Sequence, residues 1–140
     1  MEAKDIISLI SKIEESANGF ITSEMDKWGI KGLATSHGDI LDALLRSKKL
    51  TMKELADKIG RDKSTITALV DKLIKHGYVE KTRDISDNRV VFVTLTEKGK
   101  ELKPMFETIS QDLLSRVYKD ISENEKEELI KTLKKIKNNF

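Results

Sequence analysis

The sequence predicts a mainly α-helical domain that carries one small β-hairpin. Through most of the 140 residues, apolar side chains recur at intervals of three and four, as on one face of a helix. Between residues 78 and 95 the pattern changes to two short runs rich in β-branched and aromatic residues, separated by polar turn residues. We therefore expect one domain, residues 1–140, with a core supplied mostly by helices.

The first element is a long amphipathic helix over residues 4–28. Its apolar positions, from Ile6 through Ile13 to Phe20, alternate spacings of four and three, which is typical of a coiled-coil seam. A helix of this length would extend beyond a small core. It either packs on its own domain or forms part of a subunit interface, and we favour the interface.

A second helix should run from about His37 to Ser47, capped by Thr35 or Ser36. His37 lies beside a serine and an aspartate, but the three are too close in sequence to form the nucleophile, base and orienting group of a hydrolase. We expect His37 to be a surface or packing histidine and not a ligand. If it has a function, contact with an effector is the best hypothesis.

Residues 51–77 predict two further helices joined by a tight turn. The first opens with a capping box of Thr51 and Glu54 and ends at Gly60, where a left-handed residue is least costly. The second begins after Asp62. Its predicted core positions are Ile66, Leu69, Val70, Leu73 and Ile74.

The opposite face of this second helix carries short polar groups and cations. Such a face suits a recognition helix in a major groove, because short side chains allow close approach to base edges while Lys and Arg reach phosphates. Taken alone, the residues on this face are explained equally well by an ordinary solvent-exposed helix that does not bind DNA. The candidate DNA-contacting residues here are Arg61, Lys63, Ser64, Thr65, Thr67 and Lys72.

A hairpin follows this helix pair directly, with strands from Tyr78 to Arg83 and from Arg89 to Leu95. A hairpin after a helix-turn-helix is a winged helix, and a basic wing tip can reach an adjacent minor groove. The winged helix-turn-helix lobe should span residues 36–99. Its candidate DNA-contacting residues are Lys81, Arg83, Asn88 and Arg89.

Two predicted helices complete the chain. Thr96 should cap the first, and Pro104 should kink or break it because proline removes a backbone hydrogen bond. Ser122 and Glu125 match a capping box that opens the second. Acids at the start of this last helix and lysines at its end complement the helix dipole, so we favour that explanation over a basic DNA-binding tail.

Segments 1–30 and 100–140 together present more apolar surface than one small lobe can cover. Two-fold pairing of these N- and C-terminal helices would bury it, so we interpret them as dimerisation helices.

The sequence also resembles a known family. The motifs are Asp87-Asn88-Arg89, then Leu95-Thr96-Glu97-Lys98-Gly99, together with the helix end at residues 73–79. They are similar to the D-x-R and L-T-x-x-G signature of the MarR family of transcriptional regulators. Because several spaced elements agree and the helix order fits nearly the whole chain, we identify the chain as a member of that family.

The resemblance implies a homodimer that binds double-stranded DNA, at a pseudo-palindromic operator, and acts as a repressor. It implies that Arg89 is the wing-tip arginine that enters a minor groove and that Asp87 orients it. Members commonly release DNA on binding a small aromatic or anionic effector between the dimerisation helices and the DNA-binding lobe. From their placement, Trp28, His37 and Phe106 are candidates for lining such a pocket.

Composition excludes several functional classes. With no cysteine there is no disulfide, thiolate metal site or thiol-based redox sensor. No apolar run approaches the ~20 residues of a membrane span and no signal peptide is evident, so we expect a cytoplasmic protein without membrane contact. The two histidines lack carboxylates at metal-ligand spacing, and no nucleophile–base pair or phosphate-binding glycine loop is present. We expect neither a cofactor nor an enzyme.

The charge distribution leaves one alternative open. Residues 51–100 contain 11 Lys and Arg against 8 Asp and Glu, a balance of +3, whereas the whole chain carries +2. This modest excess lies on the predicted DNA-binding lobe. It is also compatible with a winged-helix protein-interaction module that does not bind DNA.

Overall fold

The computed structural model describes residues 1–140 and contains seven α-helices and three β-strands. No helix combines the length and the hydropathy that a membrane span requires. The predicted fold class, mainly α with a small β-hairpin wing, is confirmed. After a short 3₁₀ turn at Ala3–Asp5, the elements are α1 (Ile6–Lys27), α2 (Thr35–Ser47), β1 (Lys49–Thr51), α3 (Met52–Ile59), α4 (Lys63–Lys75), β2 (Val79–Arg83), β3 (Val91–Leu95), α5 (Glu97–Lys100), α6 (Lys103–Val117) and α7 (Glu123–Asn138).

The hydrophobic core lies where α2, α3 and α4 meet the sheet. Leu44, Leu55, Val70 and Val93, one from each of these elements, have almost no exposed surface. Burying side chains of this size supplies about 1.5–3 kcal/mol each relative to leaving them in water. Ile74, which the periodicity assigns to the same core, is instead 37% exposed, because it lies in the last turn of α4 at the edge of the apolar stripe.

The antiparallel sheet has the strand order β1-β3-β2. β2 and β3 form the wing hairpin, and β1 adds a short strand in which Leu50 lies opposite Val93. Leu50, Val79 and Val93 are buried on the helices. A slip of one residue would turn them toward water, so burial fixes the register of the wing.

The start of α2 differs from the prediction. The helix begins at Thr35, and Ala34 is its N-cap, so neither Thr35 nor Ser36 caps it. Ala34 has no side-chain acceptor. Instead the His37 Nδ1 atom accepts the backbone N–H of Ala34 at 2.9 Å. His37 is only 6% exposed, which confirms its packing role.

The predicted helix starts and the break near Pro104 are otherwise confirmed. Thr51, Asp62, Thr96 and Ser122 each accept the backbone N–H of a residue three positions on. α5 ends at Lys100 and α6 starts afresh at Lys103, with Pro104 in its first turn. There the missing N–H of proline costs nothing, because first-turn N–H groups have no partner within the helix.

α1 and α6 pack against each other, burying Met25 and Ile109 between them and the core. Beyond this contact, the N-terminal half of α1, the end of α6 and the whole of α7 bury little, and α7 has no buried residue. Each of these segments exposes apolar side chains, and we call the set the exposed apolar surface. Its residues are Ile6, Ile7, Leu9, Ile13, Leu114, Val117, Leu129, Ile130 and Leu133, each at least 39% exposed.

Candidate nucleic-acid interface

A concave surface lies between the starts of α3 and α4 and the wing, and we call it the wing groove. Its volume is about 670 Å³. Five of its eleven lining residues are Lys or Arg, and none is acidic. Two of these cations have carboxylate partners just outside the lining, Lys81 with Asp71 at 3.9 Å and Arg89 with Asp87 at 3.0 Å. The remaining Lys53, Lys63 and Arg83 still make the concavity suit a polyanion. The lining residues are Thr51, Met52, Lys53, Lys63, Thr67, Lys81, Thr82, Arg83, Arg89, Val90 and Val91.

The start of α4 is held by its own polar side chains. Asp62 Oδ1 accepts the N–H of Thr65 at 2.7 Å and the hydroxyl of Ser64 at 2.8 Å. These bonds, the backbone bond first, lower the pKa of Asp62 below its ordinary value. The Thr67 hydroxyl donates to the Lys63 carbonyl at 2.8 Å. Ser64 and Thr67 therefore present free acceptor lone pairs outward, while their donor hydrogens are already used.

The wing tip is an exposed turn braced by hydrogen bonds from two arginines. Arg83 donates to the Asn88 carbonyl at 2.7 Å and thereby joins the two sides of the loop. Arg89 donates from Nε and Nη2 to the two carboxylate oxygens of Asp87, at 3.0 and 3.1 Å, and its backbone N–H also reaches Asp87. The Arg89 contacts lower the pKa of Asp87 and raise the pKa of Arg89.

The orientation of Arg89 follows from this pairing. Its side chain is 90% exposed but is tethered by Asp87, so the guanidinium is presented at the tip in a restricted geometry. A bidentate arginine–carboxylate pair is planar and directional. The role that the resemblance gives Asp87, orienting Arg89, agrees with this geometry.

The segment Thr96–Gly99 fixes the wing relative to α4. The Thr96 hydroxyl donates to the Gly77 carbonyl at 2.6 Å, and Lys98 Nζ donates to the His76 carbonyl at 2.8 Å. Both carbonyls lie at the C-terminal end of α4, where helix carbonyls lack partners. A Cβ at Gly99 would overlap the carbonyl oxygen of Tyr78, so this position requires glycine. The L-T-x-x-G motif is therefore a structural joint.

The predicted contact residues do not all share the groove. Lys63, Thr67, Lys81, Arg83 and Arg89 line it. Thr65 does not line the groove, and its backbone N–H donates to Asp62, the N-cap of α4. The others surround the groove on the same lobe: Arg61 in the turn before α4, Ser64 at the start of α4, Lys72 near its end, and Asp87 and Asn88 at the wing tip.

Lys53 is a groove residue that the sequence reasoning missed. It lies in the first turn of α3, is exposed, and lines the groove opposite the wing. Its place two residues after the Thr51 cap was a usable signal, because a helix start beside a recognition helix commonly lies near the DNA backbone.

The three candidate effector residues do not meet in one pocket. A cavity of about 210 Å³ lies between α1, α2 and α6, and Phe106 lines it with Ile21, Met25 and Asp39. Trp28 and His37 are absent from its lining. Trp28 is 47% exposed at the end of α1, and His37 packs at the start of α2 toward Lys72. An effector role for these residues stays a prediction.

Comparison with known proteins agrees with this geometry. A sequence model of the MarR family matches residues 31–89. The transcriptional regulator SarZ of Staphylococcus haemolyticus is 37% identical over 102 residues, which cover 72% of this chain and 68% of that protein. SarZ of Staphylococcus aureus USA300 is 35% identical over 95 residues, covering 68% and 63%.

Solved structures with the same fold cover nearly the whole chain. A mutant of Escherichia coli MarR, complexed with operator DNA, has a TM-score of 0.83 at 21% identity and covers 97% of this chain and 99% of that one. A MarR transcriptional regulator from Methanosarcina mazei has a TM-score of 0.81 at 26% identity, covering 97% and 96%.

Proposed function

Because this chain belongs to the MarR family of transcriptional regulators, we propose that it represses transcription as a homodimer bound to a pseudo-palindromic operator. The observation that carries the proposal is the wing groove, in which five cations and no acid face one concavity beside α4. In the proposed complex, α4 enters a major groove from Lys63 to Lys72 and Arg89 enters the flanking minor groove.

The proposed contacts divide into two kinds. Lys63, Lys72 and Lys81 would bind phosphates and set the position of the lobe without reading sequence. Ser64 and Thr67 would meet base edges through the lone pairs that the free protein leaves unused, which suits the amino donors of adenine and cytosine. This division separates residues that set affinity from residues that set sequence preference.

The dimer in this proposal forms through the exposed apolar surface of α1, α6 and α7. A second copy would cover these side chains by two-fold pairing, and a self-complementary patch is the usual form of such an interface. The cavity lined by Phe106 lies between these helices and the winged lobe. We place the effector there, with DNA released when it binds.

The decisive experiment is selection from a duplex pool with a randomised core, followed by fluorescence-anisotropy titration of the enriched duplex at two salt concentrations. We expect a two-fold motif with half-sites about 10 bp apart and affinity that falls steeply with salt. Binding that is absent or insensitive to salt would refute the proposal and favour the protein-interaction module.

Arg89→Ala tests the wing within this proposal. The variant should lose at least about tenfold in operator affinity, because a minor-groove contact and its orienting pair disappear together. Its circular dichroism and its oligomeric state should stay unchanged, since Arg89 is 90% exposed. Arg46→Ala is the matched control, because Arg46 is an exposed arginine of α2 paired with Asp42. Equal affinity of the two variants would remove the wing from the mechanism.

A further inference from the structure

His37 joins the start of α2 to the connection that arrives from α1. Its Nδ1 atom accepts the Ala34 N–H at 2.9 Å, and α2 has no other side-chain cap. Because Nδ1 is the acceptor, the ring proton must be on Nε2 and the imidazole must be neutral. The bond therefore exists in only one protonation state of His37.

Protonation would turn this contact from favourable to unfavourable. An imidazolium carries hydrogen on both nitrogens, so Nδ1 would then face the Ala34 donor with a second donor. The titratable groups that face the ring, Lys72 and His76, both lie at the C-terminal end of α4 and are both basic. Burial first, and then the charge of Lys72, lower the pKa of His37 below its ordinary 6.5, against a smaller opposite effect of the hydrogen bond with the Ala34 backbone, which raises it. The carboxylate of Asp39 does not stabilise a positive charge on His37, because Asp39 interacts with Asp42 and Arg61 instead.

The connection that His37 holds is short and contains no helix or strand between Trp28 and Ala34. Gly29 and Gly32 both adopt positive φ there, at 82° and 77°. It links α1 to α2, which packs on α3 and α4. Ile30 and Leu33 of the connection are buried in the core, so loss of the Ala34–His37 bond would free only its last residue, Ala34, at the start of α2.

We propose that His37 is an acid-sensitive latch: on taking up a proton it releases the end of the connection between α1 and α2 at Ala34, and the protein loses affinity for DNA. Acidity then acts on the same lobe as the effector, but from the opposite side of α2. The release of the connection stands on the geometry of His37 alone, whereas the loss of DNA affinity rests on the proposed function.

The release of the connection can be followed by the fluorescence of a tryptophan that the chain already contains. Trp28 is the only tryptophan, is 47% exposed, and lies at the start of the connection. Its emission should change reversibly between about pH 8 and about pH 5, with a midpoint below 6.5. His37→Gln should abolish the change, because glutamine at this position keeps an acceptor for the N-cap N–H and does not titrate.

Two further variants complete the emission test. His37→Ala should show the acid-type emission already at about pH 7.5, because the cap is absent at every pH. His76→Gln should keep the wild-type emission change, and this result would assign the change to His37, the other histidine of the chain. A wild-type emission that is independent of pH, or a transition that persists in His37→Gln, would overturn the proposal.

The second part is measured as operator affinity at about pH 7.5 and at a pH below the midpoint of the emission change. The wild type should weaken about fivefold once that change is complete, the effect of losing one helix cap, while His37→Gln should change less than about twofold. An emission change without this difference in affinity would refute the regulatory role. Failure to bind any duplex at neutral pH would refute the proposed function instead, and the emission titration would still decide on the latch.

Discussion

Replacing Gly99 with alanine tests the joint that fixes the wing to α4. The added Cβ would overlap the Tyr78 carbonyl oxygen and would lie 3.0 Å from Leu95 Cδ2. The carbonyl cannot simply move away, because it accepts the N–H of Thr96 at 3.0 Å. Relief of the overlap must therefore displace either β2 or α5.

The expected change in the free energy of unfolding on replacing Gly99 with alanine has three contributions. Overpacking a tight site costs about 1–3 kcal/mol, and straining the Tyr78–Thr96 hydrogen bond adds about 1 kcal/mol. The better helix propensity of alanine returns up to about 1 kcal/mol. We expect Gly99→Ala to lower the free energy of unfolding by about 1–3 kcal/mol.

Gly19→Ala is the matched control. Gly19 lies within α1, and a Cβ there would have no neighbour within 4 Å, so the same substitution should stabilise the protein by about 0.5–1 kcal/mol. The two variants should thus differ by about 1.5–4 kcal/mol. The assay is urea unfolding followed by circular dichroism at one fixed chain concentration, because association contributes to stability. Equal midpoints for the two variants would refute the reasoning about the joint.

The remaining predictions concern α4. Lys72→Ala should weaken binding to all duplexes similarly and reduce the salt slope by about 1, measured by anisotropy; a loss confined to the operator would contradict a phosphate contact. Leu73→Ala should cost about 2–5 kcal/mol in urea unfolding, because Leu73 is fully buried, and a smaller loss would mean that the core collapses around the deletion. Asp62 has a lowered pKa, so its contribution to stability is present above its ordinary value of 3.8 and is lost as pH falls through the lower folded value. Asp62→Asn should therefore reduce the fall of the urea midpoint as the pH decreases. A urea midpoint that falls with pH as steeply as in the wild type would contradict this role of Asp62.

Much of the fold was predictable because the chain marks its helix ends with local chemistry. Thr51, Asp62, Thr96 and Ser122 act as caps in the structure as the sequence indicated, since capping depends on residues within one turn. Gly60 ends α3 with a φ of 73° for the same reason. The N-cap of α2 was not predicted, because His37 occupies the third helical position, where a capping box usually has glutamate or glutamine.

The candidate interface was predictable in composition but not in geometry. Periodicity placed Ser64 and Thr67 on the outward face of α4, and the wing residues followed from the hairpin. That Arg83 spans the wing loop to Asn88, and that Lys53 completes the groove from α3, depends on contacts between elements. Such contacts are set by tertiary packing, which local sequence patterns do not encode.

The wing tip also has a kinetic consequence. Its two arginines, Arg83 and Arg89, are matched by Asp84 and Asp87, so the tip as a whole carries no net charge. A neutral tip exerts little attraction over a distance, whereas α4, with three lysines against Asp71, carries a net charge of +2, so we expect the lysines of α4 to govern how often protein and DNA meet. In the proposed complex, Arg89 would exchange Asp87 for the negative potential of a minor groove. The wing should therefore control how long a complex lasts, and a regulator built this way can tune its residence time without altering its rate of search.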